Sequence, residues 1–205
     1  MEEGATESYN RLEDLMREID VAREVQARLL PRTRPPLETL DYRGLCLQAG
    51  GVGGDYYDFI QLEPGIAAFV LGDVAGKGIP AAILMANLQG SLRSQCVKAI
   101  DDLPGLLRSV NRLFCESVET ERFATLFLGV YDDSTRRFRY ESCGHNPPLL
   151  VGSDGQVRRL TGTATVLGMI EQWDCSVSET DLRPGDVLVM YSDGVTEAMS
   201  DAAEL

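Results

Sequence analysis

The first thirty residues place apolar or small side chains at alternating spacings of three and four. Leu12, Leu15, Ile19, Ala22, Gln26 and Leu29 follow this rule, which puts them on one stripe of a helix. Pro31 and the Pro35-Pro36 pair end it, because proline has no amide hydrogen to donate and clashes with the preceding turn. Two readings of the stripe stay open: a helix packed on its own domain, or a parallel dimer stalk whose coiled-coil seam Gln26 interrupts. Beyond Pro36 short apolar or alternating runs predict strands over Tyr42–Ala49, Asp55–Leu62 and Ile66–Val74, with Glu63-Pro64-Gly65 as the hairpin turn between the last two.

From Ile79 the period lengthens. Ala82, Met85, Leu88 and Leu92 mark one helix, and Leu106, Leu107, Val110, Leu113 and Phe114 mark a second near Leu103–Val118. Strands return at Ala124–Tyr131 and Arg137–Cys143 around an Asp132-Asp133-Ser134 turn. Further strands are expected at Pro148–Val151, Gln156–Leu160, Ser176–Leu182 and Val187–Tyr191. Neighbouring strands joined by short turns imply antiparallel sheet, and two consecutive helices among them imply α+β rather than alternating α/β. No internal repeat interrupts this order.

Composition narrows the classes. The 205 residues carry 19 Lys+Arg against 32 Asp+Glu, a formal charge of −13, which argues against nucleic acid as a partner. Lys77 and Lys98 are the only lysines, so no polybasic segment exists to hold an anionic membrane, and no window is long and apolar enough to span one. The acidic start Met1-Glu2-Glu3-Gly4 is no secretory signal. Cys46, Cys96, Cys115, Cys143 and Cys175 form no CxxC pair, which fits small buried residues in a reducing cytoplasm.

Three aspartates share one local setting. Asp55 follows Gly53-Gly54; Asp73 ends the run from Ile66 and precedes Val74-Ala75-Gly76; Asp193 follows Val187–Ser192 and precedes Gly194. A carboxylate at the end of a buried strand is costly to leave unpaired, and an adjacent glycine lets the backbone turn sharply. Read one at a time these are plain turns. Together they describe a hard anionic pocket for Mg²⁺ or Mn²⁺, and the pattern leaves both readings open. Two nucleotide motifs are excluded: the glycines at 50–54 run into a strand rather than a helix, and Gly72–Gly78 is one residue short of a P-loop and lacks its Ser/Thr. His145, the only histidine, lies in a tight Gly144-His145-Asn146-Pro147-Pro148 turn and reads as structural. Lys77 reads as surface.

Five segments occur in order: Gln26-Ala27-Arg28-Leu29-Leu30-Pro31, Gly53-Gly54-Asp55-Tyr56-Tyr57-Asp58, Gly72–Ala82, Gly144–Pro148 and Tyr191–Ala198. Together they closely resemble the bacterial sporulation-stage-II-E and sigma-factor-regulator branch of the metal-dependent (PPM, type-2C-like) serine/threonine phosphatases. The resemblance implies a PPM-type αββα sandwich of two antiparallel sheets flanked by helices (31–205), preceded by an N-terminal coiled-coil-like linker helix (1–30). It implies two Mn²⁺ or Mg²⁺ ions held by Asp55, Asp73, the Val74 backbone oxygen and Asp193, with Asp73 bridging. Water activated by the ions would attack phosphoserine or phosphothreonine on a small STAS-type anti-sigma-factor antagonist. It further implies an upstream sensor acting through the leading helix, often by dimerisation.

The chain departs from that pattern at its end. The family's domain is expected to continue past the Asp193-Gly194 helix with further strands and an Asp-Asp-x-Thr-like motif supplying another metal ligand. Asp132-Asp133-Ser134-Thr135 looks like this motif but falls between middle strands, and it reads as a hairpin turn. Without the last carboxylate one metal would bind more weakly, and missing strands would expose sheet edges. The alternative function is therefore a weakly active or inactive pseudophosphatase serving as a dimeric partner-binding module.

Overall fold

The computed structural model describes residues 2–48, 51–97, 101–118 and 122–198. Helix α1 (Glu2–Ala27) opens the chain and ends three residues before the expected boundary at 30. A tight turn follows, in which Arg28 N–H donates to Val25 O and Leu29 N–H to Gln26 O. The first half of the predicted stripe stays in solvent: Leu12, Leu15 and Ile19 are exposed, the first two at 54% and 50%. Only the last turn docks, with Gln26 buried and Leu29 and Leu30 against the core. Packing on its own domain therefore holds for the end of the helix and not for its length.

No strand forms over 42–48, contrary to expectation; Ala49 lies outside the described residues. The polar groups there pair with side chains instead of a neighbouring strand. Arg34 Nη1 donates to Tyr42 O, and the Tyr57 hydroxyl donates to Gly44 O. Leu45 and Leu47 are each 79% exposed, so their alternation has no sheet face to meet. Tyr42 turns inward, edge-on to Phe59 and Phe69.

Strands β1 (Asp55–Glu63) and β2 (Ile66–Val74) form the expected hairpin, with Gly65 in the left-handed region at φ 76°. Helices α2 (Gly78–Cys96) and α3 (Leu103–Cys115) come next. Strands β3 (Ala124–Asp132) and β4 (Arg137–Cys143) then flank a turn in which Asp132 Oδ1 accepts from Ser134 N–H and Oγ. The last strands are shorter than the sequence suggested: β5 (Leu149–Val151), β6 (Val157–Arg159), β7 (Ser178–Asp181) and β8 (Val187–Val189). A single turn, α4 (Asp193–Thr196), follows. The strands make two antiparallel sheets, ordered β1-β2-β3-β4-β7 and β6-β5-β8.

Strand alternation decides what each face covers. Tyr56, Ile60, Ala68, Val70, Leu126, Leu128 and Val130 meet Met85, Leu88 and Leu92 of α2 and Leu107, Val110 and Phe114 of α3. The opposite face, with Ala67, Phe69, Phe127, Tyr131 and Phe138, packs on Leu150, Leu160 and Leu188 from the side of the three-stranded sheet. The α+β sandwich of antiparallel sheets is thus present. Among the described residues its helical layer, α2 and α3, lies against the five-stranded sheet, while Val157, Val187 and Val189 of the other sheet are exposed.

One buried charge ties β1 to that helical layer. Asp58 is fully buried and forms a bidentate pair with Arg93 of α2, at 2.6 and 2.7 Å, and accepts from the Tyr56 hydroxyl at 2.6 Å. This is the geometry a buried carboxylate requires. No helix among the described residues is long and apolar enough to cross a membrane.

Candidate metal centre

Asp55 is the first residue of β1 and Asp73 the next-to-last of β2, and the hairpin register makes them direct cross-strand partners. Both lie on the face shared with Tyr57, Phe59, Leu71 and Phe69, the side turned toward the second sheet. The chain leaves β8 of that second sheet and reaches Asp193 at the start of α4. Two sheets thus bring to one edge carboxylates far apart in the chain.

Their electrostatics record the crowding. Burial raises the Asp55 carboxyl above its usual range; a Ser192 hydroxyl contact opposes this and the Asp193 charge adds to it. Oδ1 of Asp55 is buried without a hydrogen-bond partner. The Asp73 carboxyl is pushed up to about 7, first by burial and then by the charges of Asp55, Asp193 and Glu197. Burial is the larger cause for both carboxyls, and the neighbouring carboxylates add to it.

Val74, the last residue of β2, is held close to the loop before β1: its N–H donates to Gly54 O at 3.3 Å. A Cβ on Gly54 would overlap the Val74 carbonyl oxygen, so only glycine permits this approach. Gln48 Nε2 donates to Asp55 O at 3.0 Å and steadies the following backbone.

His145 lies beneath the site. Its Nδ1 is hydrogen-bonded at 2.7 Å to the Thr125 hydroxyl, and Thr125 is the β3 residue opposite Asp73. Burial lowers its pKa to about 4, against the opposing influence of the Tyr191 backbone and the Asp193 charge. The ring is neutral at pH 7, and its Nε2 is buried without a partner. Lys77 is exposed at the N-cap of α2 and makes no capping bond with its side chain.

Of the residues singled out in the sequence, Asp55 and Asp73 stand face to face, Val74 adjoins them through Gly54, and Asp193 is an exposed charge at the rim. Among the described residues no group of three His, Cys, Asp or Glu side chains is close enough to hold a metal ion. The Asp193 charge still reaches both Asp55 and Asp73. The donor types nevertheless suit a hard divalent cation, and the unpartnered Asp55 Oδ1 is the observation that such an ion would explain. Sequence reading missed two neighbours. Glu197 lies one helical turn after Asp193, a spacing that could have drawn notice. Arg122 places Nη1 3.1 Å from where a Gly76 Cβ would stand, and nothing local signals that approach.

Comparison with known proteins agrees with this architecture. Residues 63–205 match the family model for stage II sporulation protein E (SpoIIE). The chain is 32% identical over 190 residues to phosphoserine phosphatase RsbU of Bacillus subtilis (strain 168), covering 92% of this chain and 56% of that protein. It thus spans little more than half the length of that relative. The solved RsbU and RsbW domains of Rv1364c from Mycobacterium tuberculosis superpose with a TM-score of 0.64 at 32% identity, covering 74% of this chain and 42% of theirs. The PP2C phosphatase domain of SpoIIE from Bacillus subtilis, solved with a fragment of its regulatory domain, gives a TM-score of 0.65 at 26% identity, over 73% and 44% of the two chains.

Proposed function

The chain belongs to the stage II sporulation protein E (SpoIIE) family, and from that premise we propose that it is a metal-dependent phosphoprotein phosphatase. Its substrate is phosphoserine or phosphothreonine on a small regulatory protein of the anti-sigma-factor antagonist (STAS) type. The observation that carries this reading is the cross-strand pair Asp55 and Asp73, with an unpartnered buried Oδ1 on one and a carboxyl near 7 on the other.

Asp55, Asp73, the Val74 carbonyl and Asp193 would hold Mn²⁺ or Mg²⁺. The bound cations would supply Lewis acidity for water attack and screening of the phosphate charge. The chain's own residues set the stage for that chemistry. The two strands fix the carboxylates as direct cross-strand partners, and Asp193 and Glu197 raise the local negative potential that draws a cation in. Thr125 and His145 support the β3 side of Asp73 with a neutral ring that adds no competing positive charge. The exposed stripe of α1 is the surface through which a second copy or an upstream sensor would act.

Hydrolysis of a phosphoserine protein and of p-nitrophenyl phosphate with added Mn²⁺ tests the proposal. Turnover that disappears in a folded Asp73→Asn variant supports it, and zero turnover at every Mn²⁺ concentration defeats it. A second reading, a partner-binding module without turnover, draws on the absence of a closed three-ligand group among the described residues. Calorimetry separates the two, since micromolar Mn²⁺ binding counts against a module that has lost its metals.

A further inference from the structure

The polar residue that interrupts the apolar stripe of α1 has a defined partner. Gln26 Nε2 donates to Gly53 O at 2.6 Å, and Gly53 N–H donates back to Gln26 Oε1 at 3.1 Å. One carboxamide thus satisfies both backbone groups of one residue, as a neighbouring strand would. Gln26 is only 6% exposed, and burying an amide there is tolerable because both its ends are paired. One helical turn earlier, Arg23 Nε donates to Gly51 O at 3.3 Å. The far side of the same segment is pinned by the Val74 N–H bond to Gly54 O. Gly51–Gly54 is therefore held between the end of α1 and the end of β2, and the next residue is Asp55.

We propose that Gln26 is a positioning residue for the metal centre: its carboxamide holds the Gly51–Gly54 segment where Asp55 must stand to share a cation with Asp73. Three of those four residues are glycine, so the segment has little stiffness of its own and its place is set by what grips it. Gln26 grips it from the end of α1, whose side chains before it are mostly exposed. Any force that lifts the last turn of α1 removes both bonds to Gly53 together. The inference rests on the metal reading above and names a residue that governs the same site without touching the ion.

The full 205-residue chain is compared with Gln26→Leu, Gln26→Glu and the exposed control Arg17→Ala. Titration with Mn²⁺ alone, followed by calorimetry, is expected to show roughly tenfold weaker binding in both Gln26 variants, the lower end of losses seen when outer-shell partners of metal ligands are changed. In the metal-free chains, amide hydrogen exchange over 51–56 should quicken in the same two variants and not in the control. Maximal turnover on a phosphoserine peptide should return at saturating Mn²⁺, which a general structural lesion would not allow. Gln26→Glu keeps the side-chain size and carries the test if Gln26→Leu does not fold. Unchanged Mn²⁺ affinity in a folded Gln26 variant, or lost turnover that saturating Mn²⁺ fails to restore, overturns the positioning role alone. A parent chain that binds no Mn²⁺ overturns the metal reading and this inference with it.

Discussion

Asp55 and Asp73 stand directly opposite one another across the β1–β2 hairpin. Side chains so placed in an antiparallel pair have Cβ atoms roughly 4.5–5.5 Å apart, which sets two carboxyl groups within strong mutual repulsion. The aromatic pair Phe59 and Phe69 shares the same face and register further along the hairpin.

This arrangement gives the metal-free chain a particular pH dependence. The Asp73 carboxyl is raised in the folded state to about 7 from an ordinary 3.8, so between those values the folded chain holds a proton that the unfolded chain has released. Its contribution to stability therefore falls as pH rises through that window. Asp73→Asn should raise the unfolding temperature of the metal-free protein more at pH 8 than at pH 5. Calorimetric scans at both pH values check this, and an equal effect at the two would contradict it.

Asp193 is exposed, yet its charge reaches Asp55, Asp73 and His145. Asp193→Asn should lower Mn²⁺ affinity by about 10- to 100-fold, the range for partners around a metal site, while leaving thermal stability of the metal-free chain unchanged or slightly higher. Asp55→Asn, which changes the group with the buried, unpartnered Oδ1, should cost more. Mn²⁺ titration of the two variants decides the order.

Gly54→Ala tests the approach of the two strand ends. The new methyl would meet the Val74 carbonyl, a backbone atom with no side-chain freedom to yield. Overpacking of this kind costs about 1–3 kcal/mol, measurable by urea unfolding, and Mn²⁺ binding should weaken in parallel. Gly90, where an added Cβ meets nothing within 4 Å, is the matched control: as an interior helix position, its alanine variant should be neutral or stabilising.

Arg93→Ala would leave the fully buried Asp58 without its bidentate partner. Breaking buried pairs costs about 3–5 kcal/mol; because the Arg93 side chain is 46% exposed, water can reach part of the gap, and a loss near 3 kcal/mol or below is expected. Arg93→Lys should recover only part, since an ammonium cannot reproduce the two-pronged geometry. Denaturant titration of both variants reads the difference.

Much of this was legible in the order of residues. The hairpin at Glu63-Pro64-Gly65, the two helices after it and the β3–β4 pair follow from alternation, period and turn chemistry, all of which act over a few neighbouring residues. The segment 42–48 misled because Leu45 and Leu47 alternate like strand residues while lying exposed; its hydrogen-bonding groups are taken by Arg34 and Tyr57. Gln26 looked like a flaw in a coiled-coil seam, because its partner Gly53 is 27 positions away.

By itself the sequence determined the secondary structure of most of the chain, the acidic strand-end chemistry and, through five ordered motifs, the family. Those depend on local sterics and on residue identity, which the chain states outright. Tertiary structure alone decided that Asp55 faces Asp73, that Asp193 and Glu197 add charge from the rim, and that Gln26 clasps the loop before Asp55. Repulsion between carboxylates and the pairing of a buried amide depend on distances through space, and those exist only once two sheets and a helix end have met at one edge.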